Sequence, residues 1–221
     1  MSNNDFVTLF SRLSKKYQFS APVVVFDVGA NIGQSIHTFK LIWPDCNVYA
    51  FEPVSSTFNS LSENVKKYNN LELHNFALSN IQGVALMTNK PNSTMNQIVS
   101  NPKDKSNVDE IKVARGDDFC RSKSITNIGY LKVDAEGHDL LVLQGFSDML
   151  SRQDIDFVQV EAGMSWRNQR HVSLEKYKGF LEVFGYRLLA IYEQTTEARL
   201  PLLRRSNLIF ISDKLINTYT I

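Results

Sequence analysis

Asp27-Val-Gly29-Ala-Asn31-Ile-Gly33 follows a short apolar run and opens a helical pattern. A glycine turn between a buried strand and a helix is where a backbone can approach a nucleotide-like ligand closely. The dinucleotide pattern Gly-x-Gly-x-x-Gly is absent: position 31 is Asn, and Asp27 sets a carboxylate where a pyrophosphate would be repelled. Glu52 stands at the end of the next apolar run, where nucleoside-binding sheets place an acid for the ribose hydroxyls. Two carboxylates at adjacent strand ends repel each other and need a ligand or a donor network. An ordinary strand-to-helix connection explains one glycine turn, but not Asp27, Gly29, Gly33 and Glu52 together. The ligand these residues suit is a phosphate-free nucleoside carrying positive charge. S-adenosylmethionine (SAM), with an ammonium and a sulfonium for Asp27 to attract directly or through water, meets that description.

Methyl transfer from a sulfonium is an in-line displacement, so a protein has to align the acceptor oxygen and remove its proton. Asp134, Glu136 and Glu161 supply acids at two further strand ends. They can act as a general base, as acceptors for a diol, or as hard oxygen ligands for Mg²⁺. The first two roles are favoured, because no dedicated metal-ligand set accompanies them. Asp134 or Glu136 can instead cap the helix that begins near residue 138. Among the histidines, His171 is the leading alternative base and His138 the next, while His37 and His74 read as packing or surface residues. His171 lies in a polar loop, residues 164–172, with Trp166, Arg167, Asn168 and Arg170. An indole face beside amide and guanidinium donors suits a sugar ring; alternatively, Trp166 anchors the loop to the core. Residues 90–102, rich in Asn, Pro and Ser, read as a lid or as surface filler. Lys103, Lys105 and Arg204-Arg205 read as solvated basic faces, with Arg204-Arg205 also placed to meet a phosphorylated carrier.

Short β-branched or aromatic runs alternate with helical patterns, the order that builds a parallel sheet covered by helices on both faces. Strands are expected at residues 23–28, 48–51, 71–76, 129–133 and 157–160, and helices at 34–42, 55–68, 138–150 and 174–184. Trp43-Pro44 and Gly185 stop two of the helices. Residues 80–116 break the alternation, with strands at 84–88 and 110–114, and read as an inserted hairpin or flap. Residues 187–192 and 207–211 have no helix between them and should pair antiparallel. Phe6, Leu9, Phe10 and Leu13 give residues 1–20 an amphipathic leading helix packed on the body.

The counts bound these readings. At 221 residues with 43% hydrophobic and 21% charged, the chain suits one folded unit with a large core. Lys and Arg number 24 against 23 Asp and Glu, a balance far from the basic excess that nucleic-acid backbones require. Cys46 and Cys120 have neither metal-ligand nor disulfide-framework spacing, which fits reduced thiols in the cytoplasm. No stretch reaches the roughly 18 apolar residues of a membrane span, and residues 1–19 are too polar for a signal peptide. Monomer and homodimer both stay open.

The ordered set DVGANIG (27–33), FEP (51–53), NFALS (75–79), GDDF (116–119) and LKVDAEGHDLLVLQG (131–145) resembles the FkbM family of SAM-dependent methyltransferases over about residues 23–212. The resemblance implies a class I methyltransferase fold: a mostly parallel, seven-stranded, Rossmann-like α/β sheet with an antiparallel C-terminal strand. It puts Asp27, Gly29, Asn31 and Gly33 around the methionine part of SAM, Glu52 on the ribose, and Asn75, Phe76 and Ala77 near the adenine. Where the family has Thr-Leu-Asp this chain has Arg115-Gly116-Asp117, so Asp117 alone carries over. The expected activity is O-methylation of a hydroxyl on a sugar, glycan precursor or glycosylated natural product. A nicotinamide-dependent oxidoreductase and a non-catalytic nucleoside-binding module are the rivals.

Overall fold

The computed structural model describes residues 4–88, 96–99 and 108–219. Helix α1 (Asn4–Tyr17) leads into β1 (Val24–Val28), α2 (Gln34–Ile42), β2 (Asn47–Phe51), α3 (Ser55–Val65) and β3 (Leu71–His74). Next come β4 (Ala77–Ser79), β5 (Gly83–Thr88), β6 (Ile98–Val99), β7 (Val108–Arg115) and α4 (Gly116–Ser122). The chain continues through β8 (Ile128–Val133), α5 (Asp139–Gln144), α6 (Ser147–Ser151), β9 (Ile155–Gly163) and α7 (Leu174–Val183). It ends with β10 (Tyr186–Thr196), β11 (Leu203–Ser212) and α8 (Asp213–Asn217).

Seven strands form one sheet in the order β10-β11-β9-β8-β1-β2-β3. The pairs from β9 to β3 are parallel, and β11 runs antiparallel to both β9 and β10. Every residue of β8 is buried, as expected of a central strand covered on both faces. Alternation along the strands sends Phe26, Val28, Leu131 and Val133 to a core shared with Phe119, Phe146 and Tyr177. Val25, Tyr130 and Phe157 point the other way, into a core closed by α1 and α2 through Phe6, Phe10, Phe39 and Trp43. On that second face Phe10 meets Trp43 and Tyr130 edge to face at 5.2 and 5.4 Å. Among the described residues no helix is long and apolar enough to cross a membrane.

Three local expectations are corrected. The strand expected at residues 71–76 stops at His74, and after Asn75-Phe76 the chain enters β4, which pairs in parallel with β7 in a second sheet ordered β4-β7-β5-β6. Asn75 makes the transition by donating from Nδ2 to the carbonyls of Glu52 and Pro53 at 2.9 and 3.1 Å. The helix expected at 138–150 is two short helices. Gly145 packs against the Ser79 carbonyl, and Asp117 accepts from the amides of Asp148 and Met149 at 2.9 and 3.1 Å, which starts α6 on a new axis. The helix expected at 55–68 ends at Val65. Of residues 90–102, only 96–99 lie within the described part, as β6 and the two residues before it; Lys103 and Lys105 also lie outside it.

Candidate active site

The glycine turn is locked from three sides. The amides of Gly29 and Ala30 both donate to the Phe51 carbonyl at 3.0 Å, which bends the chain over the end of β2. Gly29 has φ +81°, and a Cβ there would lie 2.0 Å from the Asp134 carbonyl oxygen, so only glycine fits between β1 and β8. Asn31 occupies the left-handed region at φ +50°, which Asn tolerates better than most residues. Its amide donates to Glu52 Oε2 at 3.0 Å, while the Val54 amide donates to Glu52 Oε1 at 2.9 Å. One carboxylate therefore ties the turn before α2 to the start of α3. Burial raises the Glu52 carboxyl above its ordinary value, against the lowering effect of these two amides. Each oxygen keeps a lone pair for a further donor.

Glu52 lines a cavity of about 260 Å³ over the C-terminal ends of β1, β2 and β8. Val28, Phe51, Val54, Leu78 and Ile98 give it apolar walls that suit a flat heterocycle, and Glu52, Asp134 and Glu136 give it acids. Gly29, Asn31 and Ala77 also face it, whereas Gly33, Asn75 and Phe76 do not. Gly33 instead packs its α-carbon against Val65, and Phe76 packs on Phe51 and His74.

Asp27 is fully buried and stands beside Lys132 in the parallel register of β1 and β8, both on the α1 side of the sheet. Lys132 Nζ donates to Asp27 Oδ1 at 3.2 Å and to Asp134 Oδ2 at 3.4 Å. Burial by itself pushes the ammonium's pKa down, but the two carboxylates outweigh it and hold the pKa above the ordinary lysine value. Lys132 is thus a fixed cation. Among the described residues Asp27 Oδ2 has no hydrogen-bond partner, and Asp27 itself, fully buried behind Lys132, is not part of the cavity wall.

In the turn after β8, Glu136 and Gly137 both take positive φ, +54° and +95°. Asp139 holds that turn, accepting from the amides of Ala135 and Gly137 at 3.1 and 2.9 Å. Neither Asp134 nor Glu136 caps the helix: α5 has no side-chain cap hydrogen bond, and the amides that Asp139 holds belong to the turn before it. Asp134 remains 40% exposed, and Glu136 is ion-paired with Arg170. Burial, with Asp134 adding to it, pushes the Asp139 carboxyl up to about 7 from an ordinary 3.8. Such a group binds more protons folded than unfolded between those values, so its contribution to stability falls as pH rises from about 4 to about 7. Chemical denaturation of wild type and Asp139→Asn at pH 5 and pH 8 should show wild type losing about 1.4 kcal/mol or more relative to the variant, since one pKa unit corresponds to about that energy. Equal slopes for the two proteins would remove this role.

Alternation along β9 puts Gln159 and Glu161 on the same face as Lys132, beside Asn207 of β11. Together with Arg205, Tyr192 and Glu193 they line a second, polar cavity of about 240 Å³, roofed in part by Phe6 and Thr38. It shares Ser35, Lys132 and Asp134 with the first. Glu161 is ion-paired with Arg205, and its Oε2 lies 2.7 Å from His171 Nε2. Burial pushes Glu161 up, but the His171 hydrogen bond and the Arg205 charge outweigh it and hold the carboxyl below its ordinary value.

His171 lines neither cavity. Its Nδ1 lies 3.0 Å from Asn168 Oδ1, so both ring nitrogens are engaged, and the ring expected to act as a base meets Glu161 and Asn168 rather than open space in either cavity. His138 lines the first cavity, with Nε2 2.9 Å from Ser79 Oγ, and burial lowers its pKa. Asp117 is likewise corrected: it lies under α6 and does not reach the cavity. Trp166 does not anchor its loop to the core, being 80% exposed with the Arg167 guanidinium 5.0 Å above its ring. Sequence reasoning passed over Lys132 and Asp139. A lysine inside an otherwise apolar run was the available signal, since lysine is rarely buried without a partner.

The model of the methyltransferase FkbM domain matches residues 27–188. Over 145 residues the chain is 31% identical to the hexuronic acid methyltransferase AglP of Haloferax volcanii, covering 64% of this chain and 57% of that protein. Over 155 residues it is 28% identical to the 31-O-demethyl-FK506 methyltransferase FkbM of Streptomyces tacrolimicus, covering 57% and 60%. The chain thus spans less than two thirds of the length of these curated relatives. Among solved structures, magnesium protoporphyrin IX methyltransferase from Synechocystis PCC 6803, determined with bound SAM, superposes with a TM-score of 0.55 at 10% identity, over 96% of this chain and 79% of that one. That likeness speaks to the fold, which is the class I methyltransferase fold. The chain belongs to the FkbM methyltransferase domain family.

Proposed function

We propose that the chain is a SAM-dependent O-methyltransferase acting on a hydroxyl of a sugar, a glycan precursor or a glycosylated natural product. The observation that carries this reading is the meeting of two cavities at Ser35, Lys132 and Asp134: one with apolar walls and acids suited to a nucleoside, the other mostly polar under a partly aromatic roof. In the first, Glu52 holds the ribose diol, Val28, Phe51, Leu78 and Ile98 enclose the adenine, and Gly29 and Asn31 border the methionine part. Asp27, behind Lys132 and outside the cavity wall, acts on the ammonium through its charge and not by direct contact. SAM bound there supplies a methyl group on a sulfonium, an electrophile that needs a deprotonated oxygen in line with it.

The residues of the chain supply that oxygen. Asp134, facing both cavities, accepts the proton of the acceptor hydroxyl. Lys132 keeps Asp134 oriented and lies close enough to stabilise negative charge on the acceptor oxygen as the proton leaves. Glu161, fixed by His171 and Arg205, is the hydrogen-bond acceptor for a neighbouring hydroxyl. Glu136, held by Arg170, borders the cofactor side. The hexuronic acid named for the Haloferax relative is consistent with a carbohydrate acceptor.

Calorimetric titration separates this reading from a nicotinamide-dependent oxidoreductase: SAM and S-adenosylhomocysteine (SAH) should bind and NAD(H) should not. Binding of NAD(H) without SAM would reverse the assignment. SAH release in the presence of hydroxylated acceptors distinguishes a catalyst from a binding module.

A further inference from the structure

The second cavity carries a charge pattern that its polarity alone does not reveal. Its ionisable lining is Lys132 and Arg205 against Asp134, Glu161 and Glu193, and Asp27 stands directly behind Lys132. Three carboxylates therefore face two cations in the lining, and a fourth, Asp27, lies buried behind one of those cations. Both cations are already engaged, Lys132 with Asp27 and Asp134, and Arg205 with Glu161. Glu193 also accepts from Asn207 Nδ2 at 2.5 Å. A protonated His171 and the positive charge of a bound cofactor bring the sum to zero at most, never to a positive excess.

From this we infer that the acceptor cavity selects uncharged polyols and discriminates against carboxylated sugars. The inference rests on the acceptor site proposed above. An entering carboxylate would have to displace Glu161 from Arg205, or Asp27 and Asp134 from Lys132, and leave a partly buried acid unpaired. Half-enclosed walls reduce screening, so like charges are felt more strongly than in water. A neutral hydroxyl meets no such obstacle, because it donates to the remaining lone pairs of the carboxylates and keeps its own for Asn207 or Lys132. In this the chain departs from the relative whose name specifies a hexuronic acid.

The test uses the full chain saturated with SAH and two probes that differ only at C6, methyl β-D-glucopyranoside and methyl β-D-glucuronide. Competition followed by saturation-transfer NMR should show the glucoside binding at least about tenfold more tightly. Glu193→Lys, which reverses one wall charge, should narrow or invert that ratio. Equal or tighter binding of the glucuronide to wild type would overturn the inference, and so would no binding of either glycoside to the SAH-loaded protein. Failure of SAH itself to bind would instead overturn the cofactor reading, so the two failures are distinguishable.

Discussion

Glu52→Ala is expected to weaken binding of SAM and SAH by at least about a hundredfold while leaving the far-ultraviolet circular-dichroism spectrum unchanged. The carboxylate lies at the cavity wall with a lone pair on each oxygen left for the ribose diol, and hydrogen bonds to a charged group contribute about 1.5–3 kcal/mol each. Two such bonds account for the hundredfold. The same substitution leaves the amides of Asn31 and Val54 without their acceptor, loosening the turn that borders the cofactor. Glu52→Gln separates the two effects. It keeps the shape but sets an NH₂ group against one of those amides, so it should fall between wild type and Glu52→Ala. Calorimetry gives the affinities, and unaltered affinity in Glu52→Ala would refute the ribose assignment.

Lys132→Met should destabilise the fold by about 3–5 kcal/mol, the usual cost of removing one partner from a buried ion pair. Asp27 is fully buried and has Lys132 as its charged partner, so the variant strands a carboxylate in the sheet. Adding Asp27→Asn removes that stranded charge. The double variant should recover most of the loss, giving a coupling energy well outside additivity in urea denaturation. A loss under about 1 kcal/mol for Lys132→Met alone would mean that the pair is not what holds β1 and β8 together at this level. Both variants should also lose turnover, because Asp134 loses the cation that orients it.

Much of this architecture can be read directly from the sequence. Apolar runs alternating with helical periods specify the parallel strands, and the absence of a helix between the last two strands specifies their antiparallel return. Gly29 and Glu52 announce themselves by type and position, because a turn that needs positive φ and an acid at a strand end have few other uses. What resists reading is set by contacts distant in sequence. The break at Gly145 depends on the Ser79 carbonyl and on Asp117, and a helical period cannot reveal either. The departure of the chain at Asn75 depends on β7 being present as a partner for β4. His171 looks like a base in isolation; only the fold shows that Glu161 and Asn168 occupy its two nitrogens. Lys132 becomes meaningful once the strand register sets it beside Asp27.

The boundary formed by Ser35, Lys132 and Asp134 makes the two chambers thermodynamic neighbours. Whichever guest arrives first strips water from charges that the other must also meet, so their dissociation constants cannot be independent. By linkage, each guest alters the hold on the other by an identical factor, and this reciprocity is a property of the shared wall that neither compartment has alone.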